Sequence, residues 1–367
     1  MGSVPATSSR LLQGQLHLLC GFIAGFVCSF VLLLCVYDVH NPPCWPSSTL
    51  PATAVTLKLN QQRPNLALGL QRQLRILCMV LTCPDYIERY AQHVRATWGQ
   101  RCTKLVFVSS EHNESLGVVR VIEPEADAYD NLWNKTREGF RHVYETYGGQ
   151  YDWFIKADDD TYVIMENLRY MLAAYDPNMP IYFGYKMNRY NVSYMSGGAS
   201  YILSREALRR FRRQAYESSK ICPEAKKNGI EDFYMGICLQ NVGVHLIDAR
   251  YALTNDIKTK LFPLDVAKYM YDVNITIPDW LRLMTATEIE TGPGCCSNYS
   301  IAFHYTTPER MYLYEFLIYR LRVFGVARHL EEVPKPFTWA QVEKMFPLEH
   351  NTMIRDLTQM LERPDNF

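Results

Sequence analysis

The run Trp153-Phe-Ile-Lys-Ala-Asp158-Asp159-Asp160-Thr-Tyr162 constrains this chain more than any other feature. An apolar stretch that ends in three adjacent carboxylates reads as a buried strand delivering charge to its C-terminal edge. Three like charges repel unless something positive neutralises them. A hard divalent cation with oxygen ligands does so, and it keeps open positions for phosphate groups. The competing reading is an exposed acidic turn.

The rest of the body alternates strand-like and helix-like segments. Arg75 to Thr82, Lys104 to Ser110, Trp153 to Lys156, Pro180 to Gly184, Ala199 to Leu203 and Val242 to Asp248 read as strands. Helical patterns cover Asp85 to Trp98, Asn131 to Tyr147 and Val163 to Tyr175, and Ser204 caps a further helix through about Gln214. Alternation of this kind predicts βαβ units and an α/β fold with a mostly parallel sheet. Ligands of such sheets bind beyond the carboxyl ends of the strands, where Asp158, Asp159 and Asp160 fall.

The N-terminus fixes the expected compartment. Leu18 to Tyr37 is a twenty-residue run without a charge, about the length needed to span a bilayer core. Arg10 precedes it, and no Lys or Arg follows until Lys58. The positive-inside rule then predicts a cytosolic tail over 1–17, a signal anchor over 18–37 and a luminal remainder; a cleaved signal peptide is the alternative. Residues 38–73 are rich in Pro, Ser, Thr, Asn and Gln and read as a stem. Residues 74–325 are long enough for one large core, and 326–367 form a peripheral tail. Three of the eleven cysteines lie in the membrane run, and the even remainder suits disulfides in an oxidising compartment. The net charge of zero gives no electrostatic case for nucleic acid. Glycosylation sequons begin at Asn113, Asn134, Asn191, Asn274 and Asn298.

Several strings converge on one chemistry. His93-Val-Arg-Ala-Thr-Trp98 follows the first strand, and Tyr194-Met-Ser-Gly-Gly-Ala199 brings Gly197 and Gly198 to a close backbone approach. Ile230-Glu231-Asp232 precedes a helix, and Gly292-Pro-Gly-Cys-Cys-Ser297 leads to Phe303-His304-Tyr305. With the acidic triplet, and in this order, they resemble the β1,3-glycosyltransferase family, and more closely its core 1 β1,3-galactosyltransferases.

The resemblance implies a nucleotide-sugar transferase type A fold, Mn²⁺, and UDP-galactose as donor. It implies inverting transfer to O-3 of GalNAc on Ser or Thr of glycoprotein acceptors, a Golgi membrane location and a homodimer. Asp160 and His304 map to the metal ligands, and a neutral imidazole suits Mn²⁺. Leu81, Lys135, Asp158 and Asp159 map to donor or metal-supporting positions. Asp232 maps to the base that inversion requires; a helix N-cap is its structural alternative, as a core position is for His304. Tyr194, Gly197, Gly198 and Trp280 are candidates for the acceptor side, with Tyr194 and Trp280 as an aromatic platform or as core. Asp248 and Arg250 form a D-x-R pair of the family. Its disulfides carry over as Cys78–Cys102, Cys222–Cys238 and the vicinal Cys295–Cys296. Cys44 and Cys83 are left to pair together, to pair with a second chain or to stay free.

The chain departs from the family at Asp127-Ala128-Tyr129, where a Glu-Gly-Arg-like stretch is expected, at Lys186 to Ser193 and at Leu264 to Tyr269. These departures keep two other readings open. One is a non-catalytic luminal chaperone or partner of an active transferase. The other is a β1,3-transferase with a different acceptor, such as a glycolipid. The Asn134 sequon falls in the expected nucleotide region and is expected to be unoccupied.

Overall fold

A computed structural model describes residues 66–224, 230–253, 256–323 and 335–348. The expected tail and anchor over 1–37, most of the expected stem and Cys44 lie outside the described residues. Among the described residues no helix is long and apolar enough to cross a membrane.

The central sheet is built where the sequence is most continuously apolar. Strand β1 (Ile76–Leu81) is buried along its whole length, as expected of a parallel strand covered on both faces. It lies between β2 (Lys104–Ser109) and β4 (Trp153–Asp158), parallel to both. With β3 (Val118–Arg120), β6 (Ile181–Gly184), β9 (Tyr201–Ser204) and β10 (His245–Asp248), the order is β10-β6-β9-β4-β1-β2-β3. Strand β9 is antiparallel to both β4 and β6, so the sheet is mixed with a parallel majority. No helix separates β9 from the hairpin of β7 (Lys186–Arg189) and β8 (Val192–Met195) before it. Without a crossover the chain reverses instead of returning parallel.

A smaller sheet completes the site. Strand β12 (Ala302–His304) pairs parallel with β11 (Leu261–Asp265) and antiparallel with β5 (Tyr162–Val163). The antiparallel pairing brings the end of β12 beside the start of β5, so His304 meets the acidic triplet.

Helix α1 (Leu66–Gln73) buries Leu70 within the stretch expected to be stem, so ordered structure begins before residue 74. Helices α2 (Gln92–Ala96), α3 (Leu132–Tyr147), α4 (Met165–Leu172) and α5 (Arg205–Arg210) follow the expected order. The Ser204 hydroxyl accepts from the Ala207 N–H at 3.0 Å and caps α5 as expected. Helix α6 (Glu231–Asn241) is apolar nearly all round and buried. Further along, α7 (Val266–Tyr271), α8 (Asp279–Met284) and α9 (Pro308–Glu315) precede α10 (Trp339–Met345). The segment carrying α10 packs on the body: Phe337 N–H donates to the Ala174 carbonyl at 2.8 Å, Val342 is fully buried, and Trp339 meets the His245 ring edge-on.

Three disulfides pair as the resemblance implied: Cys78–Cys102, Cys222–Cys238 and Cys295–Cys296. Adjacent Cα atoms at Cys295 and Cys296 are 3.7 Å apart, below the usual disulfide range of roughly 4.4 Å and more. Cys83 is free and half-buried.

Candidate active site

The acidic triplet divides by side-chain direction. Asp158 and Asp160 join His304 in a group whose ligand atoms lie within 4.8 Å of one another. His304 Nε2 stands 3.4 Å from Asp160 Oδ1, and Nδ1 is 3.2 Å from the Pro263 carbonyl. A proton on Nδ1 donated to Pro263 leaves the Nε2 lone pair facing the carboxylates, the tautomer a metal ligand needs. Two oxygens and one imidazole nitrogen fit Mn²⁺, so the side chains suit the ion that the resemblance implied. Burial disfavours the His304 imidazolium, but Asp160 and then Asp158 outweigh it and raise the pKa.

Asp159 turns away from this group. It is buried and accepts from the Thr82 hydroxyl at 2.7 Å. Burial, opposed by that hydrogen bond and reinforced by Asp160 and Asp158, pushes its carboxyl up to about 7. Lys135 is also buried, with Nζ donating to the Thr82 carbonyl at 2.8 Å and ion-paired to Asp127. Its ammonium is thus already neutralised beside the end of β1. Leu81, on β1 opposite Asp158, is buried.

Gly197 and Gly198 form the plate on which the two halves of the site meet. A Cβ on Gly198 would stand 2.2 Å from the His304 ring. A Cβ on Gly197 would stand 2.6 Å from Glu231 Oε2 and 3.3 Å from the Asp232 Cβ. The contacts with the His304 ring and Glu231 Oε2 are closer than real Cβ atoms show and the one with Asp232 is tight, so the missing side chains let the imidazole and the Glu231 carboxylate approach one backbone segment.

Asp232 sits in the first turn of α6, where the N-cap residue is Ile230, so the N-cap alternative does not hold. Its Oδ2 accepts from Gly197 N–H at 2.7 Å and its Oδ1 from its neighbour Phe233 N–H at 2.8 Å. Burial and then the charge of Glu231 push its carboxyl up to about 7. That value suits a general base working near neutrality.

Sequence reasoning missed the network beneath the plate. Lys156 Nζ lies 2.7 Å from Asp158 Oδ1, 3.3 Å from Glu231 Oε2 and 3.3 Å from the Gly197 carbonyl oxygen. Burial opposes the ammonium, but Asp158 and Glu231 overcome it and raise its pKa. The Tyr201 hydroxyl donates to Glu231 Oε1 at 2.6 Å. One buried cation therefore ties the metal-side strand to the base-side helix. The only signal in the sequence was a lysine inside an otherwise apolar strand.

Of the two candidate platform aromatics, Tyr194 takes the core position that was its alternative, and Trp280 does not. Tyr194 is a core residue, 1% exposed and packed edge-on against Phe233. Its ring faces the protein interior because β8 packs directly on α6. Trp280 is exposed on α8. Asp248 and Arg250 form a buried, multiply hydrogen-bonded pair.

The mixed α/β sheet with a divided acidic cluster at one strand end fits a sugar transferase, and the comparisons define that class. Residues 72–253 match the Fringe-like family. The chain is 32% identical over 317 residues to glycoprotein-N-acetylgalactosamine 3-β-galactosyltransferase 1 of Xenopus laevis, covering 84% of this chain and 86% of that protein. It is 25% identical over 173 residues to the β-1,3-glucosyltransferase of Mus musculus, which is 46% of this chain and 34% of that one. A third relative is N-acetyllactosaminide β-1,3-N-acetylglucosaminyltransferase 4 of Homo sapiens, at 23% over 239 residues, 55% of this chain and 61% of the relative. The chain belongs to the core 1 β1,3-galactosyltransferase family and is a β1,3-glycosyltransferase.

Proposed function

We propose that the protein transfers galactose from UDP-galactose to O-3 of GalNAc linked to Ser or Thr of glycoproteins, with inversion and Mn²⁺ dependence. In this reading it is a type II Golgi membrane protein anchored through residues 18–37, with a type A transferase domain in the lumen, and it acts as a homodimer. The observation that carries the reading is the pair of facing functions on the Gly197–Gly198 plate: a ligand set of Asp158, Asp160 and His304, and a base at Asp232.

Asp232 accepts the proton of the acceptor hydroxyl as that oxygen attacks the anomeric carbon. The bond from that carbon to the diphosphate oxygen breaks, and UDP leaves with the bonding electrons. Hydrogen bonds from Gly197 and Phe233 N–H hold the Asp232 carboxylate in place. Asp158, Asp160 and His304 would hold Mn²⁺, which when bound stabilises the charge on the leaving diphosphate. Lys156 keeps Asp158 and Glu231 in register between the two halves.

One observation favours the competing reading of a non-catalytic partner: the Lys135 ammonium is already neutralised by Asp127. The deciding experiment incubates the purified protein with UDP-galactose, Mn²⁺ and a peptide bearing α-GalNAc, with an EDTA control and the Asp160→Ala variant. Metal-dependent Gal-β1,3-GalNAc, lost in the variant, is expected. UDP binding without product points to another acceptor, such as a glycolipid; neither binding nor product leaves the partner role.

A further inference from the structure

His304 supplies the imidazole of the proposed ligand set, and the plane of that ring needs holding. The χ2 torsion of a histidine has a broad well. The Nδ1 contact with the Pro263 carbonyl, at 3.2 Å, lies at the long end of hydrogen bonds. A single long contact leaves the ring room to swing, yet Nε2 must stay aimed at the carboxylates of Asp158 and Asp160. Gly198 bounds the swing in part, since a Cβ there would stand 2.2 Å from Cε1 and 2.5 Å from Nδ1.

The next residue supplies the rest of the hold. The Tyr305 ring lies face to face with the imidazole, with centroids 3.9 Å apart and planes inclined by 27°. Among the described residues His304 is the only ring it meets, and its hydroxyl has no hydrogen-bond partner. Being 48% exposed, it adds little to the core. Successive side chains of a strand point to opposite faces, so neighbours at the end of β12 do not stack unless the backbone turns. Here it turns: Tyr305 has a φ of 53°, the left-handed region that glycine adopts freely and a bulky side chain rarely does. Both flanks are pinned. Phe303 pairs with Tyr162 of β5. The Thr306 N–H donates to the Asp160 carbonyl at 2.7 Å, and its hydroxyl donates to the Phe303 carbonyl at 2.9 Å. Strain held in place by its surroundings points to a functional constraint, and the ring contact that this strained turn yields is the stack on His304.

We propose that Tyr305 is a positioning residue of the metal site: its stack on the imidazole fixes the plane in which His304 Nε2 faces Asp158 and Asp160. The inference rests on the ligand set proposed above and adds to it a residue that acts through His304.

The test compares wild type with Tyr305→Ala, Tyr305→Phe and Tyr305→Gly as full-length proteins. Titration calorimetry reads Mn²⁺ affinity, and thermal melts of the metal-free proteins read folding. Long-range proton–nitrogen NMR reads the His304 tautomer without metal, its signals identified by their absence from His304→Gln. Tyr305→Ala is expected to bind Mn²⁺ roughly 3- to 10-fold more weakly, the range of one aromatic stack, with an unchanged melt. Its His304 signals average between two tautomers, where wild type shows the Nδ1-protonated form alone. Tyr305→Phe keeps the ring and matches wild type. Tyr305→Gly separates ring from backbone: glycine takes the left-handed turn without strain, so this variant melts no lower than Tyr305→Ala, yet it binds Mn²⁺ as weakly. Where wild type binds Mn²⁺, an unchanged affinity or an unmoved tautomer in Tyr305→Ala overturns the inference. An equal loss in Tyr305→Phe overturns it by assigning the effect to the hydroxyl. A lost affinity matched by a lowered melt in both Tyr305→Ala and Tyr305→Gly overturns it by making Tyr305 a residue of the fold. Wild-type signals already averaged overturn it too. A wild type that binds no Mn²⁺ but shows the single tautomer, lost on Tyr305→Ala, overturns the ligand set and upholds the hold of Tyr305 on His304.

Discussion

At Gly198 the absence of one methyl group decides whether the site can assemble. A Cβ there would overlap the His304 ring at 2.2 Å, and Thr161 Oγ1 holds the Gly198 carbonyl from the other side at 3.2 Å. Gly198→Ala should therefore push the imidazole off Asp160 while leaving the core intact. Calorimetric Mn²⁺ affinity should fall by roughly 10- to 100-fold, the cost typical of disturbing a ligand's orientation; wild-type affinity would refute the ligand assignment of His304. Asp232 carries the pH prediction. Its carboxyl sits at about 7 because burial and Glu231 disfavour the charged form. A base works only when deprotonated, so kcat/KM should rise about tenfold per pH unit below that value and level off above it. Asp232→Asn should cost roughly 10²- to 10⁴-fold, and a rate that instead falls with rising pH would sink the base role. The strings around Asp160, Asp232 and His304 were legible because each places a polar side chain at an element end. The network joining Lys156, Glu231 and Tyr201 was not, because a buried charge network depends on which strands become neighbours.

Among the elements, the strands with unbroken apolar runs were legible and the direction of one was not. Nothing local to Tyr201–Ser204 distinguishes a parallel from an antiparallel strand; the absence of a helical crossover between the β7–β8 hairpin and β9 decides it. The pairing of β5 with β12 was equally hidden, since two short strands more than a hundred residues apart carry no shared pattern. The disulfide pairing came from resemblance, because spacing alone leaves several connectivities open. Cys78–Cys102 ties β1 to the segment entering β2 across a separation of 24 residues. Closing a loop of that size is worth about 3 kcal/mol. Replacing both cysteines with Ala should lower the melting temperature by roughly 5–10 °C, and an unchanged melt would show that the packing of β1 already fixes this corner.

Across the whole molecule, helix α9 and the loop after the triplet are held by one charged cluster. Arg101 makes a two-pronged pair with Glu315 of α9, both bonds at 2.7 Å, and stacks on the Tyr319 ring at 3.6 Å. Tyr162, two residues after Asp160, donates to the same Glu315 carboxylate at 2.9 Å. Tyr319 donates to Glu166 of α4 at 2.6 Å. Glu315 therefore serves both the docking of α9 and the placement of β5, which lines up the ligand set. Glu315→Ala leaves the Arg101 guanidinium and the Tyr162 hydroxyl without their shared acceptor. The cost in urea unfolding should be roughly 2–4 kcal/mol, toward the low end for a buried pair because both partners keep some contact with water. Mn²⁺ affinity should fall with it, since Tyr162 anchors the strand on which His304 is paired. Lost stability with unchanged Mn²⁺ affinity would mean that the cluster only fastens the helix. Lost affinity in a variant still fully folded at the assay temperature would mean that helix α9 is part of what builds the site.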